Sequence, residues 1–247
     1  MSVSKDGVTV ANGKSYNFGV VQVGDTAEAL FKISNNGESA LNLTGSPLVS
    51  LSGSSTIGGL DVGAVAAGGS HSCAIQDGGL KCWGYNYYGQ TDGGSTSTDI
   101  TGLGAGSGVT AVAAGGNHTC AIQNGGLKCW GYNGQGQTAG GSSSTYITGL
   151  GSGSGVTAVA AGAYHTCAIQ NGGVKCWGAN WYGQTTEGST DTYITGLDSG
   201  SGVTAVAAGT CHTCAIQNGG LKCWGYNAQG QTAGSSTATY ILSLIHI

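Results

Sequence analysis

The sequence predicts an all-β repeat protein built from four units of one design. The segment HTCAIQNGGLKCWG begins at His118 and recurs almost unchanged at His71, His165 and His212, a constant period of 47 residues. A constant period in this range is typical of solenoids and propellers, in which each unit buries its apolar face only against its neighbours. Glycine accounts for 50 of the 247 residues, which disfavours helices and suits many short strands joined by turns.

Each unit contains a predicted β-hairpin that carries two cysteines. Asn124-Gly125 is the dipeptide most typical of a two-residue type I′ turn, because both positions need a positive φ. Symmetric pairing about this turn places Cys120 opposite Cys129 in a non-hydrogen-bonded pair, where Cα atoms approach to about 4.5 Å. We therefore predict four disulfides: Cys73–Cys82, Cys120–Cys129, Cys167–Cys176 and Cys214–Cys223. The ninth cysteine, Cys211, is expected to be a free thiol or to pair with another chain.

A metal site is the alternative interpretation of the same side chains. His118 and Cys120 share a strand face and Cys129 lies across from them, which gives three candidate ligands. Structural zinc needs a closed set of four ligands, and the repeat offers no fourth. We therefore expect no metal and no cofactor. Disulfides in this number indicate an oxidising compartment, so we expect the protein to be secreted or on the cell surface.

The charge and hydropathy of the chain exclude several classes of partner. Charged residues make up only 7% of the sequence, the net charge is −4, and all seven basic residues are lysines. A protein that binds nucleic acid needs a basic stripe to neutralise phosphates, so we expect no nucleic-acid partner. Four lysines recur once per repeat, and each is expected to be solvated on its hairpin: Lys81, Lys128, Lys175 and Lys222. No run of 18 apolar residues occurs, so we expect no direct membrane insertion.

Residues 1–60 precede the repeats. The alternation of Ala29, Phe31 and Ile33, and again of Leu41 and Leu43, predicts short half-buried strands. The run 12–53, with its patterns FGVVQVG and LNLTG, resembles the start of immunoglobulin-like domains of the choice-of-anchor and abnormal-spindle type. Such sandwiches need about 100 residues, so the resemblance implies a partial immunoglobulin-like segment.

The repeats span 61–107, 108–154, 155–201 and 202–241. Each offers four strands, which is typical of a propeller blade; in the second repeat the first is VTAVAAG (109–115) and the fourth is TYITGL (145–150). The motif A-x-G-x-x-H-[TS]-C-A-I…G-L-K-C-W-G-x-N-x-x-G-Q resembles the repeat of the regulator-of-chromosome-condensation family. That family folds as seven-bladed propellers, so the resemblance implies an incomplete, open β-propeller.

The two ends of the sequence suggest a fragment. The opening residues MSVSKDGVTV lack the apolar region of a signal peptide, although an oxidising compartment is expected. Residues 242–247 (LSLIHI) break the period and resemble translated sequencing-adapter read-through, with a natural capping strand as the alternative. We expect a longer natural protein and assign this tail no function.

The recurring histidines and tryptophans are expected to be structural. No serine, cysteine or carboxylate recurs beside the histidines in the manner of a catalytic triad. A hydrogen bond repeated in every blade explains the histidines more simply, and packing between blades explains the tryptophans Trp83, Trp130, Trp177 and Trp224. We therefore expect no catalytic residues and no enzyme activity.

The repeats differ from one another at two places. One is the residue pair that follows each Trp-Gly-x-Asn: Tyr87-Tyr88, Gly134-Gln135, Trp181-Tyr182 and Ala228-Gln229. The other is the residue directly before each histidine: Ser70, Asn117, Tyr164 and Cys211. Strand direction puts both places at the hairpin end opposite the Asn-Gly turn. Aromatic side chains on variable loops over a rigid scaffold are typical of binding sites, with neutral loop drift as the alternative. The predicted partner-binding residues are Tyr87, Tyr88, Tyr164, Trp181 and Tyr182.

These observations predict a non-enzymatic protein–protein interaction module of a secreted or cell-surface protein, with a glycan as a second class of partner. The family resemblance implies an alternative, because some members are guanine-nucleotide exchange factors for a small GTPase and some bind chromatin. This chain has no arginine, no basic face and no long insertion between repeats, which departs from that pattern. A third class is a secreted enzyme inhibitor, since a propeller of related fold inhibits β-lactamase. Fold alone confers none of these functions.

Overall fold

The computed structural model describes residues 2–5, 8–10, 31–34, 62–186, 189–237 and 241. The chain divides into two compact units, residues 1–59 and 60–247. Every described element is a strand, a turn or a loop, so the described ranges contain no helix and none that could cross a membrane.

In the first unit, three strands form one antiparallel sheet. They are β1 (Ser2–Lys5), β2 (Val8–Val10) and β3 (Phe31–Ser34), in the order β2-β1-β3. The predicted alternation at Phe31 and Ile33 falls on β3, which pairs Ile33 with Val3. The predicted strand at Leu41 and most of the immunoglobulin-like run 12–53 lie outside the described residues, so this resemblance stays a prediction.

The second unit consists of four antiparallel blades of three strands each, in the arrangement of an open β-propeller. Blade 1 contains β4 (Val62–Ala67), β5 (His71–Gln76) and β6 (Gly79–Gly84). Blade 2 contains β7 (Val109–Ala114), β8 (His118–Gln123) and β9 (Gly126–Gly131). Blade 3 contains β10 (Val156–Ala161), β11 (His165–Gln170) and β12 (Gly173–Gly178), and blade 4 contains β13 (Val203–Ala208), β14 (His212–Gln217) and β15 (Gly220–Gly225).

The predicted hairpin and its register are confirmed. Asn124 and Gly125 have φ values of 50° and 70°, the left-handed conformation that a type I′ turn requires. The register pairs Cys120 with Cys129, and their Cα atoms are 4.1 Å apart. Disulfides join all four predicted pairs, and Cys211 is the free cysteine. Because Cys120 and Cys129 are bonded to each other, neither is available as a thiolate ligand for zinc.

The predicted fourth strand is wrong in blades 1, 2 and 3, where a turn takes its place; in blade 4 most of this segment lies outside the described residues. In blade 2 the segment Ile147–Leu150 is a β-turn, closed by a hydrogen bond from Leu150 N to Ile147 O. Gly149 has a φ of 77°, which the third position of a type II turn requires. Both ends of the turn bond to one residue of β9, since Ile147 N donates to Leu127 O and Leu127 N donates to Leu150 O. The segment therefore covers the edge of the blade without extending the sheet.

The hydrophobic core lies between blades. One cluster combines Ile75 and Leu80 of blade 1 with Val109, Ala121 and Trp130 of blade 2. Equivalent clusters join blade 2 to blade 3 and blade 3 to blade 4. The expected packing role is confirmed for Trp130, Trp177 and Trp224, whose indoles are buried in these clusters. Trp83 of blade 1 is only partly buried and belongs to none of these clusters.

A buried hydrogen-bond relay accompanies each cluster. Thr166 Oγ1 donates to the main-chain oxygen of Gln137, so its lone pair must accept the 2.8 Å hydrogen bond from His118 Nε2. The same oxygen of Gln137 also accepts from Trp177 Nε1 at 2.9 Å. His71 and His165 make the same bond to Thr119 and Thr213. The expected structural role of these three histidines is confirmed.

The relay fixes the tautomer of the buried histidines, and burial keeps them neutral. Because Nε2 donates, the neutral ring leaves Nδ1 without a proton, and Nδ1 of His118 has no hydrogen-bond partner. Burial, with smaller contributions from His165 and His71, lowers the pKa of His118 from 6.5 to about 3. Burial also lowers the pKa of His165 to about 4. The close approach of the His118 ring to the backbone requires glycine at position 115, because a Cβ there would collide with that ring and with the Gly162 carbonyl.

The first prediction concerns the cysteines. A thiol reagent applied to the unfolded but unreduced chain should detect one thiol per molecule, at Cys211, because the other eight cysteines are paired. Replacing Cys120 and Cys129 by alanine should lower the free energy of unfolding by about 2–4 kcal/mol. Peptide mapping without reduction checks the pairing. Finding nine reactive thiols would contradict it.

The second prediction concerns acid stability. The unfolded chain binds protons at its histidines below pH 6.5, whereas folded His118 and His165 stay neutral down to about pH 3 and 4. The free energy of unfolding should therefore fall as the pH is lowered from 6.5 towards 4. His118→Gln, which keeps an N–H donor for Thr166 but takes no proton, should show a shallower fall in urea titrations. Equal slopes for the two chains would overturn this assignment.

Candidate functional site

The two variable places of each repeat lie together at one end of the blade. The loop before the histidine and the loop after the third strand are joined by a main-chain hydrogen bond, from Tyr132 N to Asn117 O in blade 2. The same bond links Tyr85 to Ser70, Ala179 to Tyr164 and Tyr226 to Cys211. This end is opposite the Asn-Gly turn, as predicted, and we call it the loop face (residues 68–70 and 85–92 in blade 1 and their equivalents).

Two conserved amides give each variable loop a fixed shape. In blade 1, Asn86 Oδ1 accepts from Thr91 N at 2.9 Å and Gln90 Oε1 accepts from Tyr88 N at 3.0 Å. Gly89 supplies a φ of 78° at the turn. Blades 2, 3 and 4 repeat both hydrogen bonds to the side-chain amide oxygens. The motif N-x-x-G-Q-T therefore holds its backbone in place and leaves the two variable side chains free to change.

Gln90 also connects this loop to the next blade. Its side chain is fully buried, and its main-chain oxygen accepts hydrogen bonds from Thr119 Oγ1 and Trp130 Nε1 of blade 2. The loop face is thus anchored by the same groups that join the blades.

Six aromatic side chains form a connected row across the loop face, which we call the aromatic ribbon. They are Tyr85, Tyr87, Tyr88, Tyr132, Tyr164 and Trp181. The centroid of the Tyr88 ring lies 4.9 Å from that of Tyr132, which in turn lies 6.5 Å from that of Tyr164. Tyr164 continues to Trp181 at 5.5 Å. The ribbon therefore runs from blade 1 to blade 3.

Four of the five predicted binding residues belong to this ribbon: Tyr87, Tyr88, Tyr164 and Trp181. The fifth, Tyr182, lies apart and pairs with Tyr226 at 4.7 Å between ring centroids. Tyr182 and Tyr226 line an open cavity of about 310 Å³ together with Thr210, Cys211, His212 and Gln231.

Sequence reasoning missed three aromatic residues of the loop face: Tyr85, Tyr132 and Tyr226. They occupy the position after Trp-Gly, which is tyrosine in three repeats and alanine (Ala179) in the third. Recurrence at a fixed place made these tyrosines look like part of the scaffold. Their position close to the variable pair was the one sequence feature that could have indicated a place on the loop face. In the structure, Tyr132 connects Tyr88 of blade 1 to Tyr164 of blade 3.

Four rings of the ribbon are exposed, those of Tyr132 and Tyr164 are half-buried, and the ribbon contains no charged side chain. Tyr87 is 78% exposed and Trp181 is 58% exposed. The repeated lysines are engaged within their own blades, where Lys81 pairs with Asp99 at 2.6 Å. The expectation of solvated lysines is wrong for Lys128, Lys175 and Lys222, which are all buried. The amine of Lys128 lies 4.8 Å from the centre of the Tyr146 ring. Burial lowers the pKa of Lys128.

The described part of the chain places no three His, Cys, Asp or Glu side chains close enough to hold a metal ion.

A comparison with protein families identifies the blades. The model of the regulator of chromosome condensation (RCC1) repeat matches residues 64–90, 109–137, 156–184 and 203–231. The chain carries four RCC1 repeats. Each match begins in the first strand of a blade and ends at the buried glutamine of the loop face or its equivalent, so the RCC1 repeat coincides with the unit described above.

Solved structures share the fold, among them that of yeast RCC1. Human WBSCR16 is 26% identical over 66% of this chain and 46% of its own, with a TM-score of 0.53. A chain of the yeast Kap60 complex with RCC1 (Prp20) is 19% identical over 77% and 50%, with a TM-score of 0.59. Prp20p of Saccharomyces cerevisiae, solved in a study of its binding to Gsp1p and histones, is 19% identical over 70% and 47%, with a TM-score of 0.54.

The chain therefore spans about half the length of these structures. No curated protein sequence matches it significantly.

Proposed function

We propose that this chain is a non-enzymatic interaction module that binds a partner protein through the aromatic ribbon. The observation that carries the proposal is the continuous row of rings from Tyr87 to Trp181 over three blades, exposed at both ends and half-buried at Tyr132 and Tyr164. Tyrosine and tryptophan dominate the energetics of protein interfaces, because each buries a large area for few rotatable bonds. The hydrogen bonds from the loop backbone to the Asn and Gln side chains fix the loops before binding, which lowers the conformational entropy lost on binding.

A protein is favoured over a glycan by the orientation of the rings. The planes of Tyr87 and Tyr88 meet at 89°, and those of Tyr132 and Tyr164 meet at 73°. Rings that meet edge to face present ridges and slots to a partner, whereas a sugar stacks on an open, flat ring face. Side chains of a protein fill such slots, as in aromatic-lined peptide grooves.

The proposed setting is extracellular, because four disulfides persist in an oxidising compartment and are rare in the cytosol. Nucleic acid is not proposed as a partner, since the net charge is −4 and the chain has no arginine.

An exchange-factor-like regulator of a small GTPase is the alternative function. It is supported by the match to the RCC1 repeat and by the likeness to Prp20p, whose binding to Gsp1p and histones was studied. At 19% identity that likeness extends to the fold alone. The disulfides favour the extracellular module over this alternative.

The third prediction tests the ribbon. Random peptides displayed on phage are selected against the immobilised full chain, and the affinities of the selected peptides are measured by biolayer interferometry. The combined substitution Tyr87→Ala, Tyr88→Ala, Tyr164→Ala and Trp181→Ala should weaken binding by tenfold or more, since buried aromatic anchors contribute about 2 kcal/mol or more each. Tyr182→Ala alone should have little effect, because its ring lies outside the ribbon.

A matched control comes from the same loop positions in the other blades. Gln135→Ala with Gln229→Ala removes exposed side chains from blades 2 and 4 and should leave the affinity unchanged. Thermal melting must show that each variant folds. Unchanged peptide affinity in the quadruple variant would contradict the proposal, and binding confined to a glycan array would replace the protein partner by a carbohydrate.

A further inference from the structure

The middle of the aromatic ribbon is a depression between two exposed ends. Tyr87 and Tyr88 of blade 1 and Trp181 of blade 3 are exposed, whereas Tyr132 and Tyr164 between them are half-buried. We call this depression the ribbon groove (Tyr88, Tyr132, Tyr164 and Trp181). It is centred on blade 2, which has a described blade on each side.

A glycine in blade 2 makes room for the floor of the groove. The residue after Trp-Gly-x-Asn is Tyr87 in blade 1 and Trp181 in blade 3, but Gly134 in blade 2. The Tyr132 ring lies against this glycine, because a Cβ at Gly134 would collide with the hydroxyl and the ring of Tyr132. In blade 1, where Tyr87 replaces the glycine, the equivalent Tyr85 is 48% exposed. The missing side chain therefore allows Tyr132 to fold down onto its loop.

The phenol hydroxyls of the groove are available to a ligand. Tyr146, at the outer edge of blade 2, donates its hydroxyl to Gln123 Oε1. Among the described residues, by contrast, the hydroxyls of Tyr88, Tyr132 and Tyr164 have no hydrogen-bond partner. The groove thus combines uncharged aromatic surface with hydroxyl groups that can donate to a bound chain.

These features distinguish between three conformations in which a peptide docks. A β-strand adds to an exposed sheet edge, but the groove is lined by side chains of loops. An α-helix bonds its own carbonyl groups internally, so it would leave the phenol hydroxyls of the groove without acceptors. A polyproline II segment has no internal hydrogen bonds, so its carbonyl groups can accept from those hydroxyls while its proline rings pack against the aromatic rings.

We propose that the ribbon groove binds an uncharged, proline-rich segment of the partner in the polyproline II conformation. This proposal rests on the proposed function, because it names the kind of segment that the ribbon contacts. Proline has no N–H, so such a segment brings acceptors and few donors to a surface that offers hydroxyl donors. The fixed φ of proline also lowers the conformational entropy lost on binding.

The experiment titrates fluorescein-labelled decaproline with the full, unreduced chain and follows binding by fluorescence anisotropy. Saturable binding is expected. A glycine–serine decapeptide with the same label should not bind, because it is flexible and has no rings to pack. Absence of saturable decaproline binding at millimolar concentrations of the chain would overturn the proposal, and so would equal binding of the two probes.

A tyrosine at position 134 tests the floor of the groove. Gly134→Tyr should fold, because blade 1 carries tyrosine at both equivalent positions and Gly134 does not have a positive φ. The new ring should displace Tyr132 and weaken decaproline binding by about tenfold or more, as expected for the loss of an aromatic anchor. Ala228→Tyr is the matched control, since it adds the same side chain at the equivalent position of blade 4, outside the ribbon. Equal affinities of the two variants would count against the groove.

The hydroxyl groups are tested separately from the rings. Tyr88→Phe combined with Tyr132→Phe keeps both rings and removes both hydroxyls, so decaproline binding should weaken by about threefold or more. An unchanged affinity would contradict the proposed hydrogen bonds to the segment.

The peptides selected on phage separate this proposal from the proposed function. Polyproline II has three residues per turn, so selected peptides should be enriched in prolines three residues apart. Ribbon-dependent peptides without this pattern, together with no decaproline binding, would overturn the proline-rich segment and leave the ribbon as a protein-binding site. If no selected peptide depends on the ribbon, the proposed function is wrong as well.

Discussion

Burial of one blade against the next is the interaction on which this structure depends. A single three-stranded blade has no second layer of its own, because the Ile147–Leu150 segment covers only its edge. Ile122 and Leu127 of blade 2 are buried under Val156, Ala168 and Trp177 of the following blade, and Ala121 and Trp130 are buried against the preceding blade. Repeat proteins of this kind gain stability from nearest-neighbour interfaces, so each blade is folded because its neighbours are. The disulfide across each hairpin fixes the register in which this packing occurs.

The same boundary also shapes the loop face. One main-chain oxygen, that of Gln90, accepts from Thr119 and Trp130 of the next blade, while the Gln90 side chain holds the variable loop. Gln90 thus contributes both to the packing of neighbouring blades and to the shape of the variable loop. Side chains such as Tyr87 and Trp181 can therefore vary without disturbing the scaffold, since the backbone beneath them is held by residues that do not vary. This separation makes the loop face suited to recognition.

Sequence reasoning succeeded where local rules decide the structure. The Asn-Gly turn determines the hairpin, and the hairpin determines which cysteines meet, so the four disulfides followed from counting. Sequence reasoning failed where long-range packing determines the structure. TYITGL has strand-like composition, but Gly149 at φ 77° turns the chain back onto Leu127. Lysine is normally a surface residue, yet the Tyr146 ring covers Lys128. Tyr132 was overlooked because contact between blades, which no local pattern encodes, makes it the bridge of the ribbon.

The repeats are nearly identical where blades touch and different where loops are exposed. Valine, alanine and tryptophan recur at the covered positions of blades 2, 3 and 4, whereas the residue pair of the loop is Tyr-Tyr, Gly-Gln, Trp-Tyr or Ala-Gln. Identity at the boundaries has a physical consequence, because each blade then buries the next one through the same residue types. The boundary residues therefore determine how the described blades pack, and the loop residues are the ones that we propose to contact a partner.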